Sequence, residues 1–215
     1  MTTSPTRRRG DLTVKGKRTR DAIVAAAADL VFRNGVTNTT VDDIRSAAGV
    51  SSSQLYHYFS DKTALIHAVI AYQTDQVLGS QDPLFAQLDS LEGLRKWRDF
   101  LVDHQRHMRC RGGCPLASLG HDLVEVDGRA RDELAESFHR WEANIRAGLE
   151  AMRQRGELSE DADAADLALA TLAAVQGGLV LTQIHRSIRP LATAVDAALT
   201  HIESFVVGGV SHTAG

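Results

Sequence analysis

The side chains best suited to chemistry cluster between Thr40 and Lys62 (TVDDIRSAAGVSSSQLYHYFSDK). Ser52, Ser53, Gln54, Tyr56 and His57 follow one another closely, and no acid stands among them. These short or flat hydrogen-bonding groups suit recognition of a nucleic acid. Gln can pair bidentately with adenine, Ser can serve either base type, and Tyr and His can reach phosphates. Lys62 follows at the start of the next helix, where a cation can meet a phosphate. With Thr40, Ser51 and Tyr58 these residues make up the expected DNA-binding set.

A second cluster is RCRGGCPLASLGHDL, with Cys110 and Cys114 four apart and Arg109 and Arg111 beside the first thiol. Nearby cations favour thiolate, so a redox or electrophile switch is one reading. His104, His107 and His121 flank the same stretch. The pattern H-x2-H-x2-C-x3-C-x6-H matches no tight zinc spacing, so no metal is assigned. Structural cysteines are the first reading, a thiol switch the second and a metal the third.

Helices must position these groups. Thr40 with Asp43 three residues on, and Ser51 with Gln54 three residues on, are capping signals for two short helices. Gly49 sits where a left-handed residue would stop the first of them. Val41, Ile44, Ala48, Val50, Leu55 and Phe59 give the pair a shared apolar face. Two short helices joined by a tight glycine turn make a helix-turn-helix pattern, whose second helix enters the major groove.

A helix over Lys17–Asn34 precedes the pair, with Lys17, Arg18 and Arg20 at its start. Such cations oppose the helix dipole and are better explained by a phosphate nearby. Another helix begins near Ser60-Asp61. After a break at Gly79–Asp89, stripes predict helices over Leu91–Met108, from Cys114-Pro115 to about Val126, and over Asp127–Arg155. In the last of these, Leu134, Phe138, Trp141, Ile145, Leu149 and Met152 recur at helical spacing. Asp163 to about Ser187 is apolar on most sides, which predicts burial on several faces. Pro190 opens a last helix. Gly177-Gly178 in mid-helix allows either a close approach or a kink.

From about Lys17 to Ala71 the chain resembles the N-terminal domain of the TetR family of bacterial transcriptional regulators. The resemblance rests on RDAIVAAAADLVFRNG, TTVDDIRSAAGVS and LYHYFSDKTAL. The Gly-Cys-Pro-Leu stretch more weakly resembles a family branch that includes flavonoid- or multidrug-responsive regulators. The resemblance implies an all-α fold: an N-terminal three-helix helix-turn-helix head and a larger C-terminal helical body for ligand binding and dimerisation. It implies a homodimer through the last two helices (about 163–207), a fourth helix linking head to body, and a small-molecule inducer held inside the body. The ligand candidates on inner faces are Trp97, Leu101, His104, Leu116, Phe138, Trp141, Ile145, Gln176 and Gln183. Packing is the plainer role for each, but His104, Gln176 and Gln183 lie in otherwise apolar stretches where a buried polar group needs a partner.

The expected domains are a basic disordered tail (1–16, with Arg7-Arg8-Arg9), a DNA-binding domain (17–62) and a body (63–209). The tail reads equally as a solvated leader or as a cationic arm for phosphates or a minor groove. The chain has 215 residues and a net charge of −3, which is unevenly spread. Residues 1–62 hold ten Lys/Arg against six Asp/Glu, and the remainder fourteen against twenty-one. A basic head on an acidic body fits an operator-DNA partner. No apolar run of membrane-span length and no signal-peptide core stand out, and two cysteines make no disulfide framework, so the expected place is the cytoplasm. Nucleotide-binding, metalloprotease and hydrolase motifs are absent, and no cofactor is implied. The function so read is a ligand-responsive transcriptional regulator, chiefly a repressor released from its operator by a small apolar or aromatic molecule. A repressor sensing thiol chemistry through Cys110 and Cys114 is the alternative, an inert architectural DNA-binding protein a further one, and a helical enzyme of unknown reaction the remote one.

Overall fold

The computed structural model describes residues 13–207. The arginine run of the tail lies outside the described residues. The chain divides between Tyr72 and Gln73 into two compact units. The sequence put the boundary between 62 and 63. It falls instead inside a helix that runs on without a break.

The first unit starts with α1 (Val14–Asn34). Thr13 caps it, its hydroxyl accepting from the Gly16 N–H at 3.0 Å. The helix therefore begins three residues before the expected Lys17, because Thr13 supplies a cap that the basic run obscured. Ile23, Val24, Ala27, Ala28 and Val31 form its buried face. Next come α2 (Val41–Ala48) and α3 (Ser52–Tyr58), joined through Gly49 in the left-handed region. Ile44, Leu55 and Phe59 are buried in the same unit. Each such side chain contributes roughly 1.5–3 kcal/mol by leaving water. The Arg20 guanidinium stacks over the Phe59 ring at 5.3 Å, so one of the α1 cations has a partner inside the unit. Helix α4 (Lys62–Gly79) carries the chain across the division.

The second unit contains one turn of helix, α5 (Asp82–Phe85), inside the stretch expected to be a plain break. It continues with α6 (Leu91–His107), α7 (Pro115–Leu123), α8 (Gly128–Gln154), α9 (Ala164–His185) and α10 (Arg189–Glu203). The only extended pairing among the described residues is a single antiparallel bridge, Leu158 to Val206.

Helix α9 packs along α8 and α10. Gly178 permits the approach to α10, since a Cβ there would come within 2.9 Å of the Leu191 Cα. Gly177, by contrast, has open space. Leu167, Ala168, Leu172, Val175 and Leu179 are buried, whereas Leu169, Val180, Leu181 and Ile184 are exposed. The helix is thus covered along one flank and bare along the other. Burial on several faces within one chain does not occur. By length and composition α9 also passes for a membrane span, with 22 residues and a mean hydropathy of 1.7, which corrects the expectation that no such run exists. Its most apolar stretch is 44% buried inside the unit, the remainder including the bare flank.

Candidate nucleic-acid interface and body cavity

Local hydrogen bonds fix the helix-turn-helix. At α2 the Thr40 hydroxyl accepts from the Asp43 N–H at 3.1 Å, and the Asp43 carboxylate accepts from the Thr40 N–H at 3.0 Å. The Thr40 hydroxyl also donates to that carboxylate at 2.6 Å and holds Asp43 below the usual carboxylate range. At α3 the Ser51 hydroxyl accepts from the Gln54 N–H at 3.2 Å, and the Gln54 Oε1 accepts from the Ser51 N–H at 2.9 Å. Both are reciprocal capping boxes. Leu55 and Phe59 turn inward, while Ser52, Ser53, Gln54, Tyr56 and His57 face outward. His57 meets the edge of the half-buried Tyr58 ring at 4.9 Å.

Two expected contacts change character. The Gln54 oxygen already accepts from the Ser51 N–H in the cap, which leaves its second lone pair and its N–H2 for a base and fixes the orientation of the amide. Lys62 is also occupied: its ammonium donates to the Val36 carbonyl at 2.6 Å and ties the start of α4 to the turn after α1. Two protons remain for another acceptor. The Thr40 and Ser51 hydroxyls also serve caps, and the Ser51 and Ser53 hydroxyls share a hydrogen bond at 3.1 Å. Ser52, Ser53, Tyr56 and His57 are the exposed residues of α3 beside them. Beside them lies a groove of about 220 Å³ lined by Thr40, Val41, Asp42, Arg45, Ser52, Leu55 and Tyr56. Arg45, paired with Asp42 at 3.2 Å, was missed in the sequence. Its place one turn into α2, four residues after Val41, was the available signal.

The body holds a cavity of about 300 Å³. Helix α4 and the turn after it contribute Gln73, Gln76, Val77, Ser80 and Gln81, and α6 contributes Phe100, Leu101, His104 and Gln105. Gly113, Cys114, Pro115, Trp141 and Leu179 complete the wall. Of the expected ligand residues only Leu101, His104 and Trp141 line it. Trp97, Leu116 and Ile145 are core residues with no exposure. The Trp97 indole N–H donates to the Gln81 Oε1 at 2.8 Å. Phe138 is half-buried and stands outside the wall. Gln183 is exposed, lying over Gly113, where a Cβ would come within 2.8 Å of its Oε1. His104 is exposed and stacks on Phe100 at 6.2 Å. Gln73, Gln76, Gln81 and Gln105 escaped the sequence reading, because a glutamine in a helix carries no periodic signal.

The cysteine segment takes an unusual path. Arg109 and Cys110 both adopt positive φ, at 53° and 55°, where L side chains are strained. The Cys110 carbonyl accepts from the Arg186 guanidinium at 3.0 Å, which anchors the segment to the end of α9. Both thiols are free and buried. Burial pushes the Cys114 thiol up, against smaller pulls from the Ala117 and Leu116 N–H groups. The Gln176 amide faces that thiol too loosely for a hydrogen bond, and its oxygen and nitrogen have no partner. A buried thiol with a raised pKa is a poor nucleophile, which disfavours Cys114 as the attacking thiol of a switch. Among the described residues no group of three His, Cys, Asp or Glu is placed to hold a metal ion.

A doubly capped helix pair whose second helix has an acid-free outer face, and a separate helical unit with a cavity, define a helix-turn-helix regulator of the ligand-responsive kind. Residues 23–69 match the family described as bacterial regulatory proteins, tetR family, and residues 90–198 match the tetracyclin repressor-like C-terminal domain. The chain belongs to the TetR family and is a DNA-binding transcriptional regulator, not an enzyme. It is 26% identical over 192 residues to an HTH-type transcriptional regulator of the lacX 3' region in Lactococcus lactis subsp. lactis, covering 87% of this chain and 94% of that one. It is 25% identical over 162 residues to the nucleoid occlusion factor SlmA of Vibrio cholerae, covering 74% of this chain and 81% of that one. A TetR transcriptional regulator from Chloroflexus aurantiacus superposes with a TM-score of 0.77 at 25% identity, covering 90% and 98% of the two chains.

Proposed function

We propose that this regulator grips a two-fold operator as a homodimer, reads it with the outward face of α3, and is released when an uncharged small molecule fills the body cavity. The observation that carries the reading is the α3 face. Ser52, Ser53, Tyr56 and His57 point outward from a helix too short to be stable alone and fixed only by its caps and by Leu55. Such rigid presentation suits direct contact with bases and phosphates. The excess of Lys/Arg in residues 1–62 supplies the non-specific attraction. Dimerisation runs through the bare flank of α9, where Leu169, Val180, Leu181 and Ile184 are exposed, Ile184 to 68%. An apolar stripe of this size favours a partner surface, and a two-fold pair of α9 helices matches the symmetry an operator requires. The protein acts in the cytoplasm, where its DNA lies. Helix α4 contributes to the cavity wall and also leads into the DNA-binding unit, so a ligand that favours one arrangement of α4 shifts the population away from the DNA-competent form.

Tyr56→Ala and His57→Ala should each weaken binding to a selected operator about tenfold, with thermal stability nearly unchanged. Fluorescence anisotropy on labelled duplexes measures this. Full affinity in a folded double variant would move the reading surface away from α3.

A further inference from the structure

Two residues of the cavity wall carry a buried polar atom with no hydrogen-bond partner among the described residues. Gln105 is 3% exposed and its Oε1 has no hydrogen-bond partner. Trp141 is 2% exposed and its indole N–H has none either. Both side chains line the same cavity of about 300 Å³, one from α6 and the other from α8. Buried polar groups are almost always paired, and an unmet donor or acceptor carries the full cost of its lost hydration. The other tryptophan of the body shows the contrast, since the Trp97 N–H is met by Gln81 at 2.8 Å. Gln81 is itself satisfied, because its Nε2 donates to the Val77 carbonyl at 2.7 Å. Gln176 carries two further unpartnered atoms, but it stands outside the cavity wall, so Gln105 and Trp141 are distinguished by lining the cavity.

Their chemistry is complementary. The indole N–H asks for an acceptor, and the amide oxygen asks for a donor. A hydroxyl supplies both. The rest of the wall decides the ligand's charge. Among the described residues no Asp, Glu, Lys or Arg lines the cavity, so an ammonium finds no counter-charge, and the one imidazole of the wall, His104, is solvent-exposed, so a buried carboxylate finds no fixed one. Phe100, Leu101, Val77, Leu179 and the Trp141 ring provide apolar and aromatic surface for the remainder of the molecule.

We infer that the effector is a neutral, mainly apolar molecule carrying a hydroxyl group, oriented by the Trp141 indole N–H and the Gln105 Oε1. This rests on the reading of the body as a ligand-binding unit and narrows it to one chemical class.

Isothermal titration calorimetry on the full chain tests the inference with four probes of similar size: 4-propylphenol, propylbenzene, 4-propylbenzoate and 4-propylbenzylamine. The phenol should bind roughly tenfold more tightly than propylbenzene and than both charged probes, because sites built around hydrogen bonds reject analogues that lack the group. Trp141→Phe and Gln105→Leu, checked for folding by circular dichroism, should each shrink that preference and strengthen propylbenzene binding. A merely structural role for either residue would not produce that reversal. Equal affinity for phenol and propylbenzene, or preference for a charged probe, would overturn the hydroxyl assignment while leaving the cavity as a ligand site. Binding of none of the four would overturn both the assignment and the reading of the body on which it rests.

Discussion

A chain carrying Leu181→Glu and Ile184→Glu is expected to be a folded monomer that binds its operator at least about a hundredfold more weakly than the parent. The two positions lie on the bare flank of α9, away from its packed side, so the substitutions leave the core of one chain untouched. In the proposed dimer they would bring four carboxylates into an apolar interface. Burying unpaired charge costs several kcal/mol per ion in real proteins, more than an ordinary interface can offset. The loss of DNA affinity follows from geometry rather than from any change in α3. A dimer makes its second half-site contact at high effective concentration, and a monomer has no such second contact. Light scattering gives the mass, circular dichroism the fold, and anisotropy the affinity. A variant that remains dimeric would place the interface elsewhere.

Replacing Trp97 with Ala should cost about 3–5 kcal/mol of stability, the usual range for removing a fully buried large aromatic side chain. The substitution also leaves the Gln81 Oε1 without its donor, which adds about 1–3 kcal/mol. Together these amount to a large share of the roughly 5–15 kcal/mol that keeps a domain folded. Urea unfolding followed by circular dichroism should therefore show a midpoint far below the parent's. Trp97→Phe should lose much less, because it keeps the ring in place and gives up mainly the hydrogen bond. Ligand binding per folded Trp97→Phe molecule should be unchanged. A folded Trp97→Phe that no longer binds ligand would return this residue to the cavity and contradict its assignment to the core.

The two tryptophans illustrate how far the sequence could be read. Trp97 and Trp141 both fall on apolar helical stripes, and nothing in their neighbourhoods separates core from cavity. What separates them is Gln81, sixteen positions before Trp97 and beyond any helical period. The cavity as a whole has the same character. It lies where α4, α6 and α8 fail to fill the space between them, and periodicity reports which face is buried but not where packing leaves a gap. Its glutamines sit among polar neighbours such as Thr74 and Asp75, Ser80 and Asp82, and His104 and Arg106, and so read as ordinary surface positions.

The helix-turn-helix was legible for the opposite reason. Its determinants are local: Thr40 with Asp43, Ser51 with Gln54, and Gly49 between them. Capping boxes and left-handed glycines act over three or four residues, so sequence spacing carries them almost completely. Local spacing did not show the other bonds these residues make: the Gln54 oxygen also closes the capping box, and the Lys62 ammonium also donates to the Val36 carbonyl, twenty-six residues back along the chain. The bare flank of α9 was hidden too, because a helix that is apolar all round looks the same whether its second face meets its own chain or a copy.

The most direct test of the central claim is selection of DNA by the purified full-length protein from a random duplex pool, followed by sequencing of the bound fraction. The account predicts an enriched inverted repeat whose half-sites lie a helical turn or a multiple of it apart, bound by two chains and weakened steeply by salt. Enrichment of no sequence, or of a single unrepeated element bound by one chain, would contradict it.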